Sequence, residues 1–129
     1  MMVLLLINLF VVTVLWLLKI NQIMIIKFKK EQISDPEKNI MRCGYAKIID
    51  RRMGKTSFAK RIHRDFYPRY HVYIKQEGDF VSFDLHLDQK RPIYEGVTAH
   101  SGEYDGEVVE REGERIRALL LSQNTPQNP

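Results

Sequence analysis

Residues 69–88 alternate between apolar and polar side chains on both sides of a glycine-containing turn. The apolar positions are Tyr70, Val72 and Ile74 before the turn, and Val81, Phe83, Leu85 and Leu87 after it. This period-two alternation around Gly78-Asp79 predicts a β-hairpin with a two-residue loop. Because the loop fixes which residues face each other, all the apolar positions then share one face of the hairpin.

The same register collects polar side chains on the second face of the hairpin. The predicted cross-strand pairs on that face are Arg69 with Asp88, His71 with His86, and Tyr73 with Asp84. A slip of one residue would set leucine and valine opposite histidine and aspartate, which disfavours any other register. We therefore expect two imidazoles side by side, flanked by two carboxylates.

A C-terminal helix is predicted over residues 107–121. Val109, Ile116 and Leu120 recur at helical spacing and form an apolar stripe that is suited to covering the hairpin. The fold class that follows is α+β, with a small antiparallel sheet packed on this helix. The sheet consists of the hairpin at residues 69–88 and one or two further strands.

Three other segments carry weaker patterns. Residues 44–50 alternate loosely and predict a strand, whereas Phe58, Ile62 and Phe66 are spaced four apart and predict a short helix over residues 56–66. Residues 89–106 show no clear periodicity and are punctuated by proline and glycine. Long irregular connections of this kind are often functional.

The first eighteen residues carry no charge, and basic residues begin at Lys19. An apolar helix of about 17–20 residues can cross a bilayer, and basic residues on its C-terminal side orient that side toward the cytoplasm. We therefore expect a single-pass transmembrane helix, with membrane contact through residues 1–18 and a cytoplasmic C-terminal domain. The alternative is a mis-assigned leader before a cytoplasmic protein that begins at Met24, Met41 or Met53.

These patterns divide the chain of 129 residues into four parts. Residues 1–26 form the anchor or leader, residues 27–43 a linker, residues 44–121 the α+β domain, and residues 122–129 a polar, disordered tail. Cys43 is the only cysteine in the chain. An intramolecular disulfide and a cysteine-rich metal site are therefore excluded.

The polar face of the hairpin is the first candidate for chemistry. Directly opposed residues bring their Cβ atoms to about 4.5–5.5 Å, so His71 and His86 could bind one metal ion, with Asp84, Asp88 or the loop residue His100 completing the site. Zinc or iron would suit two imidazoles and a carboxylate. Without a metal, a carboxylate could orient one imidazole as a general base. An ordinary solvated sheet face is the simpler alternative.

The second candidate is a basic stretch, since residues 42–75 contain ten lysines and arginines against two acids. The predicted anion-binding residues are Arg51, Arg52, Lys55, Lys60, Arg61 and Arg64. Aromatic residues are interspersed among these cations, as in proteins that hold single-stranded nucleic acid, and the cations would also suit an anionic lipid surface. Residues 54–57 resemble the end of a phosphate-binding loop, but Ile49 stands where that motif requires glycine.

The function predicted from these features is a non-catalytic binding module for an anionic partner, either a membrane surface or nucleic acid. The alternative is a metal-dependent or histidine-based enzyme that uses the polar face of the hairpin. An unpaired edge of the sheet would in addition offer a route to a homodimer.

Overall fold

The computed structural model describes residues 23–89 and 106–126, together with Val3, Leu6 and residues 8–11. Five strands form one antiparallel sheet: β1 (Ile23–Lys29), β2 (Ala46–Asp50), β3 (Lys55–Arg61), β4 (Arg69–Glu77) and β5 (Phe80–Asp88). The two helices are α1 (Pro36–Arg42) and α2 (Gly106–Asn124), and a 3-10 turn at Lys30–Gln32 joins β1 to α1. The predicted α+β class, antiparallel sheet and C-terminal helix are confirmed.

The strand order in the sheet is β1-β5-β4-β3-β2. Strands β2 to β5 follow one another as a meander, while β1 pairs with β5 at the far side. Strands β1 and β2 are therefore the two edge strands of this sheet. The segment that contains α1 connects β1 at one edge to β2 at the other.

The predicted hairpin register is confirmed for every pair. Arg69 is the cross-strand partner of Asp88, His71 of His86, and Tyr73 of Asp84, and the apolar pairs match as well. Gly78 in the turn has a φ of 56°, a left-handed conformation that glycine adopts without steric cost. Turn chemistry and apolar alternation therefore specify the same pairing.

The segment from residue 23 to residue 43 differs from the prediction, because it contains a strand and a helix where an anchor end and a linker were expected. In β1, Met24, Ile26 and Phe28 point toward the core and Lys27 and Lys29 point away from it. Ile26 and Phe28 are buried. Strand β4 pairs with one edge of β5, and the backbone groups on the other edge of β5 also need hydrogen-bonding partners. Strand β1 supplies them.

The helix predicted over residues 56–66 is wrong, since residues 55–61 form β3. A spacing of four residues fits a strand as well as a helix, and here Phe58 and Ile62 lie on the core face with Lys60 between them. Ser57 and Phe58 are adjacent and both buried, which a strand inside a sheet achieves by pointing them to opposite faces.

The predicted transmembrane helix is not supported. No helix among the described residues is long and apolar enough to cross a membrane. Residues 8–11 are helical, and most of the predicted anchor lies outside the described residues. Residues 90–105, which include His100 and most of the predicted loop, also lie outside them.

Helix α2 packs on β1 and β5 through the predicted stripe of Val109, Ile116 and Leu120, all of which are buried. Gly113 lies against Met24 of β1, so that an added Cβ would meet the Met24 sulfur. The helix extends to Asn124, which is three residues into the segment expected to be disordered.

Candidate polar-face binding site

The sheet has a polar face, which we define as the face turned away from α1 and α2. Along β4, the side chains on this face are Arg69, His71, Tyr73, Lys75 and Glu77. Along β3, they are Lys55, Ser57, Ala59 and Arg61. Strand β3 therefore carries a cation at each end, whereas β4 carries Arg69 at one end and Lys75 beside Glu77 at the other.

These four cations form what we call the cation frame: Lys55, Arg61, Arg69 and Lys75. Arg61 is the cross-strand partner of Arg69, and the pairing of β3 with β4 extends from there to Phe58 and Val72. Lys55 and Lys75 lie beyond that pairing, toward the other end of each strand. Six residues separate the two ends of the frame on each strand, which corresponds to roughly 20 Å at about 3.3 Å per residue. The frame is therefore long and narrow, with positive charge at both ends.

Aromatic rings lie between the two ends of the frame. The ring centroid of Tyr73 is 4.7 Å from that of His71 and 5.6 Å from that of His86. We call these three side chains the ring platform. All three are half-buried, and the neighbouring β3 positions, Ser57 and Ala59, carry small side chains, of which Ser57 is itself buried.

Two acidic residues of the polar face pair with cations of the frame. A carboxylate oxygen of Asp84 lies 2.7 Å from the Lys75 ammonium nitrogen, and a carboxylate oxygen of Asp88 lies 3.4 Å from Nε of Arg69. The hydrogen bond to Asp84 raises the pKa of Lys75. Lys55 and Arg61 are exposed and form no ion pair with any described residue, although Asp50 on β2 is the cross-strand partner of Lys55, so these two cations on β3 are available to an anion.

The two histidines are held in their neutral form at pH 7. Burial lowers the pKa of His71, and the charge of Arg69 lowers it further. Burial also lowers the pKa of His86 against the opposing effect of Asp84. Nε2 of His71 shares a hydrogen bond of 2.7 Å with Oγ of Ser57, which fixes the orientation of this ring.

The residues predicted as a metal site are brought together only in part. The register makes His71 and His86 direct partners, but Asp84 and Asp88 are engaged by cations, and His100 lies outside the described residues. Within the described ranges, no group of three or more His, Cys, Asp or Glu residues is placed to hold a metal ion. The Tyr73 ring lies against both imidazoles.

The six predicted anion-binding residues do not form one patch. Arg51, Arg52 and Lys55 lie at the β2–β3 turn end of β3, while Arg61 and Arg64 lie at its other end. The Arg61 guanidinium stacks on Phe66, with 5.0 Å between the charge centre and the ring centroid. Lys60 points to the helix side, where its ammonium lies 3.5 Å from the buried carboxylate of Glu112.

A second cluster of polar groups, on the helix side, surrounds Glu112. Its carboxylate accepts hydrogen bonds from Tyr45 Oη at 2.8 Å and from two nitrogens of Arg115 at 2.7 and 2.9 Å. Arg115 also donates to the backbone carbonyl of Cys43 at 2.8 Å. This cluster ties α2 to the segment between α1 and β2, and we interpret it as structural.

Sequence reasoning did not single out Arg69, Tyr73 and Lys75 as candidate binding residues, although the predicted register had already placed them on the polar face. A search by face rather than by runs of basic residues would have found them. Comparison of the chain with protein-family models, with curated proteins and with solved structures finds no match in any of the three.

Proposed function

We propose that the polar face binds single-stranded nucleic acid. The observation that carries the proposal is the arrangement of the ring platform between the two ends of the cation frame. Lysine and arginine contact phosphates, while exposed aromatic faces stack on unpaired bases, and proteins that hold single strands combine the two. A sheet surface that bears aromatic rings is one known way of presenting such a platform.

The charges of the frame favour a bound polyanion. Like charges that are directly opposed across two strands destabilise a sheet, yet Arg61 faces Arg69 here. Asp88 lies beside Arg69, and the Phe66 ring lies against both guanidinium groups, with 5.0 Å from its centroid to the charge centre of Arg61 and 4.6 Å to that of Arg69. A phosphate placed between the two guanidinium groups would remove this repulsion.

The middle of the face favours bases over lipid. A protein that inserts into a bilayer presents apolar side chains such as leucine, tryptophan and phenylalanine. The centre of the polar face instead consists of two histidines, a tyrosine and a serine, all partly shielded by their neighbours. Flat rings with polar edges can stack on bases and donate hydrogen bonds to them.

Fluorescence anisotropy of a labelled single strand, titrated with the full chain, tests the proposal. Two neutralised phosphates, one at each of the unpaired cations Lys55 and Arg61, predict a slope of about −1.4 in log K against log salt, because each contributes about −0.7 in a single strand. Affinity should therefore fall roughly 7-fold between about 50 and 200 mM salt. Duplex of the same sequence and vesicles that contain phosphatidylserine serve as competitors.

The matched variants are Arg61→Ala on the frame and Lys38→Ala on α1, since each removes one exposed cation. Arg61→Ala should flatten the salt slope by about 0.7, and Lys38→Ala should leave it unchanged. Binding of the chain to vesicles without binding to single strands would contradict the proposal. Equal effects of the two variants on the salt slope would also contradict it.

A further inference from the structure

We infer that the ligand lies on the polar face as one short stretch of about four to six nucleotides, running parallel to β3 and β4, with phosphates held at both ends of the cation frame. This inference rests on the proposed function and adds the length and direction of the bound segment. It follows from the placement of Arg61 beside Arg69 at one end of two neighbouring strands, of Lys55 and Lys75 toward the other end, and of the rings between them.

The length follows from the geometry of the frame. The two ends are roughly 20 Å apart, and stacked nucleotides rise about 3.4 Å each along one strand, so about six nucleotides bridge the frame when they are fully stacked. Fewer are needed where bases leave the stack to lie on the rings. The range agrees with the shorter site sizes, from about four nucleotides, that single-strand-binding domains use.

The direction follows from comparing two paths across the sheet. The alternative path would run across the strands through Lys27, Ser82 and Lys75, which are register partners on β1, β5 and β4. On that path, however, the Lys27 ammonium already contacts the Phe80 ring, 4.5 Å from its centroid. The next outward residues on β1 are Ile25 and Ile23, both exposed and apolar.

The path parallel to β3 and β4 meets no such interruption. Between Lys55 and Arg61, β3 presents only Ser57 and Ala59 on the polar face. Between Arg69 and Lys75, β4 presents two of the three platform rings, and the third, His86, stands beside them. The side chains of β3 are small here and those of β4 are rings. A single-stranded nucleic acid can therefore lie along β3 with its bases stacked on the rings beside it.

A length series of single strands, from two to about ten nucleotides, tests the inference with the full chain. Affinity should rise steeply until both ends of the frame are occupied, at about four to six nucleotides, and only slightly thereafter. In NMR spectra, the backbone amides of Lys55 and Arg61 should both shift with a strand of six nucleotides.

Three variants separate the two paths. Lys55→Ala and Arg61→Ala should each lower the salt slope for the six-nucleotide strand by about 0.7, whereas Lys27→Ala should leave it unchanged. All three side chains are exposed, so each variant should retain the fold. Circular dichroism checks this.

The outcomes distinguish this inference from the proposed function. If Lys27→Ala lowers the slope and Arg61→Ala does not, or if affinity keeps rising in proportion to length, then nucleic acid binds but not along this path, and the inference is overturned. If the wild-type chain binds no single strand of any length at low salt, the proposed function itself fails.

Discussion

Replacing Glu112 with glutamine removes the charge at the centre of the helix-side cluster while keeping the size of the side chain. Glu112 is 6% exposed, and it accepts hydrogen bonds from Tyr45 and Arg115 and lies beside Lys60. The variant leaves Arg115 and Lys60 without their anionic partner, and its amide NH2 faces the Arg115 guanidinium. We therefore expect Glu112→Gln to destabilise the fold.

The size of the loss in stability depends on how exposed the two cationic partners of Glu112 are to water. Removing one partner of a fully buried ion pair costs about 3–5 kcal/mol. The side chains of Arg115 and Lys60 are 36% and 32% exposed, so both cations recover part of their hydration. This lowers the expected cost to about 2 kcal/mol, which corresponds to a fall in Tm of roughly 10 °C for a domain of this size.

The cost should depend on pH in a defined direction. Burial alone would raise the pKa of Glu112, but the hydrogen bonds from Arg115 and Tyr45 outweigh it and hold this pKa below its ordinary value. A carboxylate with a depressed pKa contributes stability that is fully present above its pKa in the unfolded chain, about 4.3. That stability is lost as the pH falls through the lower folded-state pKa.

Urea denaturation followed by circular dichroism at several pH values measures the effect. The difference in unfolding free energy between wild type and Glu112→Gln should be constant above about pH 5 and should shrink below about pH 4. Glu114→Gln, an exposed change on the same helix, is the control and should stay within about 0.5 kcal/mol of wild type. A Glu112→Gln protein as stable as the control, or a gap that persists undiminished into acid, would refute this account of the cluster.

Two further predictions concern packing and titration. Gly113→Ala should stabilise the wild type by less than about 1 kcal/mol, the gain expected from helix propensity alone, because the flexible end of the Met24 side chain must move aside for the added methyl group. In a Met24→Ala background the same change should stabilise by the full amount of about 1 kcal/mol. Urea denaturation of the wild type, the two single variants and the double variant measures both effects, and equal effects in the two backgrounds would refute the contact. The Cε1 protons of His71 and His86 should titrate in NMR spectra with midpoints below 6.5, because burial lowers both pKa values, and midpoints above 6.5 would contradict the neutral ring platform.

The hairpin and α2 were predictable because each carries a complete local signal. In the hairpin, the glycine turn and the alternation on both sides of it agree on one register. In α2, Val109, Ile116 and Leu120 mark the buried stripe directly. Local propensity and burial therefore point to the same structure in both elements.

Strands β1 and β3 were missed for two different reasons. In β1 the alternation is confined to a few residues at the end of a long apolar run, so composition suggested a membrane segment instead. In β3 the spacing of Phe58 and Ile62 fits both a helix and a strand, and only pairing with β2 and β4 decides between them. Tertiary context therefore determined both strands.

The wrong helix prediction for residues 56–66 also hid half of the proposed binding site. In a strand, Lys55 and Arg61 point to one face and Lys60 to the other, whereas a helix would have scattered them. The Glu112 cluster had no local signal at all, because Tyr45 and Lys60 are 67 and 52 residues away from it in sequence. Neither arrangement can be read from spacing along the chain without the sheet register.

Comparison of Tyr73→Ala with Tyr73→Phe tests the proposed binding face most directly. Tyrosine at this position contacts both platform histidines, and loss of one stacking ring costs about 1–3 kcal/mol. Affinity for a single strand should therefore fall about 5- to 150-fold in Tyr73→Ala and stay near wild type in Tyr73→Phe, which keeps the ring. Unchanged affinity in a correctly folded Tyr73→Ala protein would contradict the claim that this face binds nucleic acid.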